Sequence, residues 1–172
     1  MKSRLKLWEI TLFPLLGAFM SVSKIMLEFL PNIHMLAMLT MVYTVVFRKK
    51  ALIPIYIFVL IHGVIAGFNL WWIPYVYLWT VLWGVTMLLP QKVPTKFKVI
   101  MYAVVCSLHG FLYGTLYAPM QALMFGLNFK QTIAWIIAGL PFDAVHGIGN
   151  LFMGLLIVSL SSVLSKTIKK FN

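Results

Sequence analysis

The chain has 172 residues, of which 62% are hydrophobic and 10% are charged. A soluble domain is about 25% charged and about 45–50% apolar, so this composition excludes a single water-soluble domain and predicts an integral membrane protein. Fourteen lysines and arginines against three acidic residues give a net charge of +11, but the basic residues interrupt long apolar runs instead of covering a polar surface, so we expect no nucleic-acid partner.

Six apolar segments are candidates to cross the hydrocarbon core, which takes about 20 residues of helix. We predict an all-α fold, with one transmembrane domain over residues 1–172 and spans at 7–29, 33–47, 51–68, 72–89, 97–117 and 141–164. The second span is short and must thin the bilayer locally or be covered by its neighbours. Glu9 and Pro14 interrupt the first apolar run, so we expect this run to stay as a span and not to be cleaved as a signal peptide.

Residues 118–140, between the last two spans, are too apolar for an ordinary loop. We expect an ordered connection that lies over the outer mouth of the bundle and has room for a short helix. About 50 residues remain outside six helices of about 20 residues, too few for a soluble catalytic or nucleotide-binding domain. Any energy source must therefore come from another subunit.

Twelve of the fourteen basic residues fall at alternate span ends. They are Lys2, Arg4, Lys6, Arg48, Lys49, Lys50, Lys92, Lys96, Lys98, Lys166, Lys169 and Lys170. Only Lys24 and Lys130 are left for the opposite side. The positive-inside rule then predicts a multi-pass protein of the cell (plasma) membrane, surrounded by lipid, with both termini in the cytoplasm.

Lys24 and Glu28 lie four residues apart on the first span, one above the other on one helix face. Two interpretations are open. The pair is an interfacial ion pair whose lysine extends to the headgroups, or it edges a polar cavity. From the spacing alone we favour the ion pair.

Three polar side chains follow one face of the last span. Asp143, His146 and Asn150 stand at i, i+3 and i+7, and Pro141 suits the first helical turn. A lone aspartate at a helix start is usually a cap, but three polar residues in register favour a face that contacts a ligand. Polar contacts between helices are the alternative.

A weak internal repeat also predicts a polar interior. The segments 61–67 and 108–114 each carry a histidine, His62 or His109, followed by two glycines four residues apart, a spacing that permits close helix packing. We expect each imidazole to be satisfied by a neighbouring group. His146 is predicted to lie nearer the outside than these two, so we expect no metal site.

Aromatic residues concentrate in the outer half of the predicted bundle. They include Trp71, Trp72, Tyr75, Tyr77, Trp79, Tyr113, Tyr117 and Trp135, with Asn69 among them. An interfacial belt normally appears at both surfaces, so the asymmetry predicts an aromatic-lined pocket open to the outside. Besides Asp143, His146 and Asn150, the predicted substrate-binding residues are Asn69, Trp72, Tyr75, Trp79, His109 and Tyr113.

Two other classes of protein were weighed against a substrate-binding subunit. A small intramembrane enzyme would have to begin its site from Asp143 and His146, since no serine motif and no acidic pair at helical spacing is present. A structural membrane subunit would not require the polar face. A binding subunit explains the polar face, the outer aromatic residues and the missing energy source together, so we expect no enzymatic activity and no cofactor.

The chain resembles, over essentially its whole length, the substrate-specific S components of energy-coupling factor (ECF) vitamin transporters. Biotin- and riboflavin-specific members have Pro-x-[Asp/Asn]-x-x-Lys in span six, where Pro141 and Asp143 match and His146 stands at the lysine position. The runs 30–33, 48–50 and 71–75 are also similar to members of this family. The resemblance implies a six-helix protein that captures a micronutrient from outside.

The resemblance also implies partners. An S component docks on a T component that is driven by two cytoplasmic ATPase subunits, and it topples within the membrane to release its cargo. Members commonly carry Ala-x-x-x-Ala on the first helix as the docking face, and the nearest counterpart here is Gly17, Ala18 and Ser21. Packing of the first span within the molecule is the alternative role for these small residues.

The substrate is predicted only by class. Aromatic rings with Asp143 or Glu28 would suit a cation such as thiamine, and a carboxylate would prefer Lys24 or Lys130. Nickel- and cobalt-specific relatives resemble one another in a histidine directly after the initiator methionine, where this chain has Lys2. We expect a planar heterocycle, such as a vitamin, a nucleobase-like precursor or a cofactor fragment.

Overall fold

The computed structural model describes residues 5–171, and this part of the chain contains helices and no strand. The α-helices are α1 (Leu7–Met26), α2 (Leu36–Phe47), α3 (Leu52–Ala66), α4 (Tyr75–Leu88), α5 (Thr95–Phe111), α6 (Tyr113–Phe125), α7 (Phe129–Gly154) and α8 (Ile157–Ile168). Short 3-10 helices cover Arg48–Ala51, Leu70–Trp72 and Lys169–Phe171. The all-α fold expected from the sequence is confirmed.

Several helices are long and apolar enough to cross a membrane. Four helical stretches meet this condition in the described residues: Leu7–Met26, Leu36–Ala66, Thr95–Phe125 and Phe129–Gly154. Their outer surfaces are apolar, as on α1, where Leu15, Phe19 and Met26 are 53–68% exposed. An apolar surface of this extent is typical of a protein that faces lipid.

Helix α2 forms the centre of the bundle. All nine residues from Leu36 to Thr44 are buried, because α1, α4, α5 and α8 pack around this helix. A helix of 12 residues is only about 18 Å long at 1.5 Å per residue. Neighbouring helices cover α2, which is one of the two arrangements expected for the short second predicted span.

The segment 118–140 departs from the expectation. It forms the end of α6 and the first half of α7, two helices joined by three residues, and is not a connection over the mouth of the bundle. Gly126 ends α6 in the left-handed conformation (φ 65°). Asn128 then begins α7, since its Oδ1 accepts from the Gln131 backbone N–H at 3.0 Å while Gln131 Oε1 accepts from the Asn128 N–H at 2.9 Å. Because this capping box satisfies backbone N–H groups at the helix start, α7 begins at Phe129, twelve residues earlier than the predicted span.

Pro141 therefore lies inside α7, and the prediction that it occupies the first helical turn is wrong. Its missing N–H removes one hydrogen bond within the helix, a loss that helices packed in membranes tolerate. The predicted polar face begins mid-helix as a result. Asp143 does not cap α7 itself.

Helices α5 and α6 pack closely against α7 along one seam. A Cβ built on Gly110 would lie 2.8 Å from Gly147 Cα, and one built on Gly154 would lie 2.6 Å from Ala103 Cα. Ser107 Oγ donates to Gly147 O at 2.9 Å across the same seam. The glycines therefore bring the two backbones together, as small residues do between membrane helices.

Basic residues meet at one end of the bundle. Lys50 Nζ pairs with both Glu9 carboxylate oxygens at 2.7 Å, and Arg48 Nη2 donates to Met87 O at 3.0 Å. Arg48 has a positive φ of 56°, which turns the chain between α2 and α3. Lys2 and Arg4, which the sequence assigns to the same end, lie outside the described residues.

Candidate ligand-binding site

A cavity of about 220 Å³ opens where the connection between α1 and α2 meets α4, α6 and α7. The residues around it are Lys24, Leu27, Glu28, Leu30, Pro31, Asn32, Ile33, His34, Tyr75, Tyr113 and His146. Glu28, Pro31 and Asn32 are exposed and form the rim, whereas Tyr75 and His146 are buried and form the floor. The cavity is thus a cup that opens at the surface beside the α1–α2 connection.

Asn32 shapes this rim. Its backbone φ is 59°, in the left-handed region that asparagine adopts more readily than most residues. The turn follows Pro31 and returns the chain over the cavity before α2 begins at Leu36. The sequence Pro-Asn therefore positions the next residues, Ile33 and His34, against the cavity.

Two imidazoles and a phenol form the floor. The ring centroids of His34 and His146 lie 4.6 Å apart at an interplanar angle of 77°, and those of Tyr113 and His146 lie 4.8 Å apart at 55°. The His34–His146 pair is edge-to-face, a geometry that is favourable for aromatic pairs, and the Tyr113–His146 pair is tilted. The rings hold one another in place and leave the side toward the cavity open.

A second set of rings supports the floor from below. Trp79 is fully buried, and its ring lies 6.1 Å from His34, 5.7 Å from Tyr75 and 5.8 Å from His109. His62 stacks on Tyr75 at 5.7 Å. All four histidines of the chain therefore belong to one aromatic cluster at this end of the bundle.

Five polar atoms in the cluster are buried and make no hydrogen bond within the described part of the chain: His34 Nδ1, His62 Nδ1, Trp79 Nε1, His109 Nδ1 and His146 Nε2. Of these five residues, only His34 and His146 line the cavity. A buried polar atom without a partner destabilises a protein by about 1–3 kcal/mol. A ligand that supplies a donor or an acceptor to His34 or His146 recovers this free energy. The floor is therefore chemically suited to a ligand with polar ring atoms.

Two charged residues flank the mouth. In residues 5–171 the only ion pair is that of Lys50 with Glu9, so Lys24 and Glu28 are not within 4.0 Å of each other. Both line the cavity. The structure therefore favours the interpretation in which Lys24 and Glu28 edge a polar cavity over the one in which they form an ion pair.

The electrostatics of His34 favour its neutral form. Burial lowers the pKa of His34 well below its usual range, and the neighbouring His146 and Lys24 lower it further. His34 precedes α2 and lies outside both adjacent helices. A neutral imidazole offers one donor and one acceptor, which suits a polar ligand better than a second cation beside Lys24 would.

The polar face predicted on α7 divides into two roles. His146 lines the cavity. Asp143 instead accepts the Gly114 backbone N–H at 3.0 and 3.1 Å, and Asn150 Nδ2 donates to Cys106 O at 3.3 Å. Asp143 and Asn150 thus fit the alternative interpretation, polar contacts between helices.

The other predicted site residues lie at different depths. Tyr75 and Tyr113 line the cavity, and Trp79 and His109 lie behind them in the cluster. Trp72 is not at the cavity, because its Nε1 donates to Val59 O at 2.8 Å and its ring packs on Phe68. Asn69 is exposed in the connection between α3 and α4.

His34 is a candidate site residue that the sequence analysis did not name. One signal was available: His34 opens the second apolar run at its outer end, the same level at which His146 was expected. No site residue is predicted in the connection between the first two predicted spans. In the structure its residues form much of the cavity wall.

The small residues predicted as a docking face are mostly covered. Gly17 is buried, and a Cβ built on it would lie 2.6 Å from Ile57 Cγ2 and 2.9 Å from Pro54 O of α3. Ser21 is 2% exposed and donates to Gly17 O at 3.3 Å. Ala18 is half-buried. The structure favours the alternative role, packing of α1 against α3.

The residues of the described chain form no group of three or more histidine, cysteine, aspartate or glutamate side chains able to hold a metal ion. Comparison with known proteins gives no family either. No family model, no curated protein and no solved structure matches the chain. The functional argument therefore depends on the cavity itself.

Proposed function

We propose that this protein is the substrate-binding membrane subunit of an ECF-type importer. It captures a small, planar, vitamin-like molecule in the outer cavity and delivers it through a T component driven by two cytoplasmic ATPase subunits. The observation that carries the proposal is the open cup over His34 and His146, each of which has one buried ring nitrogen without a hydrogen-bond partner in the described residues. A structural subunit has no need of such a cup.

The size of the cavity limits the ligand. A space of about 220 Å³ is smaller than the 300–1,000 Å³ typical of drug-sized ligands. Tyr75 and Tyr113 offer aromatic faces for a flat ring, and His34 and His146 offer hydrogen bonds to its polar atoms. Lys24 at the rim favours an acidic substituent on that ring, as Glu28 favours a basic one.

Binding is better supported than catalysis. Both Asp143 oxygens accept the Gly114 N–H, and no hydrogen bond joins Asp143 to His146 in residues 5–171. Cys106 and Ser107 are buried in the seam between α5 and α7. The nucleophile and base that an intramembrane enzyme needs are therefore not paired at the cavity.

The proposed orientation follows from the two ends of α1. Glu9 pairs with Lys50 at the basic end, and Lys24 lines the cavity fifteen residues later, about 22 Å along the helix. The positive-inside rule assigns the basic end to the cytoplasm of the cell that carries this protein in its plasma membrane. The cavity then opens to the outside, with six spans and both termini in the cytoplasm.

The test begins with the purified protein. Denaturing it and analysing the released small molecules by mass spectrometry should yield one planar compound at close to one molecule per chain. The His146→Ala variant should release at least tenfold less, whereas Asn69→Ala, on the exposed α3–α4 connection, should release the same amount. Equal release of the compound from the two variants would show that the cavity is not the binding site.

Transport provides the second arm. Cells that express this chain with a T component and its ATPases should take up the identified compound, and cells without the T component should only bind it. Conversion of the compound by the purified protein alone would establish the enzyme alternative and overturn the proposal.

A further inference from the structure

A second region of the molecule has features of a lipid site, and it extends from Met35, beside the outer cavity, toward the basic end of the bundle. A groove of about 440 Å³ runs between α1, α2 and α8. Its walls are almost wholly carbon, formed by side chains that include Leu16, Phe19, Met38, Val42, Leu160 and Val163. Phe19 and Val163 are 53% and 62% exposed, so the groove is open along its length.

A cavity of about 330 Å³ continues the groove between the same three helices, and we refer to it as the basic cavity. Val42 lines the groove and Val46, one helical turn later, lines the basic cavity. On α8, Leu164 lines the groove and Ile168, one helical turn later, lines the basic cavity. The apolar groove and the basic cavity are therefore consecutive along one seam.

The charge of the basic cavity is positive. Lys6, Lys50 and Lys169 line it together with Glu9, so three lysines face one carboxylate and leave a net charge of about +2. Glu9 is 5% exposed, and both its oxygens accept from Lys50 Nζ at 2.7 Å. Its charge is thus countered inside the protein, and Lys169, which is exposed, remains available to an anion.

From this continuity we propose that the seam binds one anionic phospholipid, with an acyl chain in the groove and the phosphate in the basic cavity. Basic pockets between membrane helices favour anionic headgroups. From Leu156, which caps α8, to Thr167 the groove follows one helix for about 16 Å at 1.5 Å per residue, comparable with the roughly 15 Å depth of one leaflet, so it accommodates an acyl chain. The proposal is independent of the ligand in the outer cavity.

The charge at the headgroup is tested by native mass spectrometry. The purified full chain is exchanged into equal amounts of phosphatidylglycerol and phosphatidylcholine with identical dioleoyl chains. We expect at least fivefold more phosphatidylglycerol bound, and a loss of at least fivefold in Lys169→Glu. Lys166→Glu is the matched control, because Lys166 is exposed near the same helix end and does not line the cavity. Equal binding of the two lipids, or equal loss in the two variants, overturns the proposal.

The groove is tested separately. Val163→Trp should reduce bound phosphatidylglycerol at least threefold, whereas Phe152→Trp, at a 66% exposed position outside the groove, should not. Leu160→Ser, which makes the groove polar without adding volume, replaces Val163→Trp if that variant does not fold. No reduction in a folded groove variant overturns the acyl-chain site.

Two further outcomes are decisive. Glycerol phosphate carries the same phosphate without acyl chains, and we expect it not to displace the lipid at millimolar concentration. Displacement would show a free-phosphate site and overturn the proposal. A protein that cross-links to position 163 and excludes the lipid would likewise show that the groove belongs to a partner helix.

Discussion

Helix α7 takes part in two regions that differ in whether their buried polar groups have hydrogen-bond partners. In the seam with α5 and α6, Asp143 and Asn150 each have a hydrogen-bond partner, and glycines bring the backbones into contact. At the outer cavity, three to four residues away along the same helix, His146 Nε2 is buried without a partner in the described residues. Asp143 and Asn150 are satisfied within the chain, whereas His146 Nε2 is not, and under the proposed function a ligand supplies its partner.

The difference teaches how to separate stability from binding in this fold. Polar residues that are satisfied across the seam should act on the free energy of unfolding. Polar residues that face the cavity should act on ligand affinity. Substitutions in the seam should therefore lower the free energy of unfolding and leave ligand affinity unchanged. Substitutions at the cavity should do the reverse.

The largest effect is expected at the helix crossing. Gly110→Ala places a Cβ 2.8 Å from Gly147 Cα and from His146 O, so backbone must move, and we expect a loss of about 3 kcal/mol in unfolding free energy. Gly84→Ala is the control, because nothing lies within 4 Å of its Cβ and alanine stabilises a helix by about 1 kcal/mol relative to glycine. Denaturant unfolding in detergent should therefore give effects of opposite sign. Two variants of equal stability would refute the tight crossing.

Asp143 tests the seam by its hydrogen bond. Asp143→Ala leaves the buried Gly114 N–H without its acceptor, which should reduce stability by about 2 kcal/mol. The ligand affinity of the folded fraction should change by less than about threefold, since Asp143 does not line the cavity. Isothermal titration with the co-purified ligand measures this affinity. A tenfold loss of affinity at unchanged stability would assign Asp143 to the cavity instead.

His146 should give the reverse profile. His146→Gln removes the imidazole from the cavity floor, and we expect about a tenfold loss of affinity, equivalent to about 1.4 kcal/mol. The unfolding free energy should change by less than about 1 kcal/mol, because no protein hydrogen bond to Nε2 is lost. Titration and denaturant unfolding on one preparation measure both quantities. A variant that binds normally but unfolds readily would contradict the division.

The smallest expected effect concerns pH. Burial, together with His146 and Lys24, lowers the pKa of His34 in the folded protein, so below about pH 6.5 the unfolded chain binds a proton that the folded chain does not. Stability is therefore lost as the pH falls from 7 to 5. The melting temperature of His34→Gln should fall by less over this interval than that of the wild type. A steeper fall in the variant would show that His34 is not held neutral.

Sequence reasoning predicted the helical part of the fold well. The predicted spans 7–29, 51–68 and 72–89 end within about three residues of α1, α3 and α4, because apolar runs bounded by charge, proline or asparagine determine helices of this kind. The segment 118–140 was misjudged because Pro119 and Pro141 were treated as breaks. Both lie inside helices, where packing and capping outweigh the single lost hydrogen bond.

The site was predictable only in part. Tyr75 and Tyr113 follow from the unequal distribution of aromatic residues along the chain, and His146 follows from the spacing of polar residues on one helix face, since both patterns can be read from the sequence alone. The division of the polar face between seam and cavity was not visible, since it depends on which neighbour each side chain meets. Asp143 accepts the Gly114 N–H only because the helix is interrupted at Leu112, between α5 and α6. The spacing of residues in the sequence does not predict that interruption.

The hairpin of α6 and α7 has a practical consequence for topology. The helical stretch Thr95–Phe125 has 31 residues, well beyond the about 20 that cross the hydrocarbon, so its tip must tilt or extend past the bilayer. Gly126 and Asn128 are exposed at that tip and distant in sequence from every residue of the cup. A short epitope inserted there would report, by antibody labelling of intact cells, which side of the membrane the cup faces.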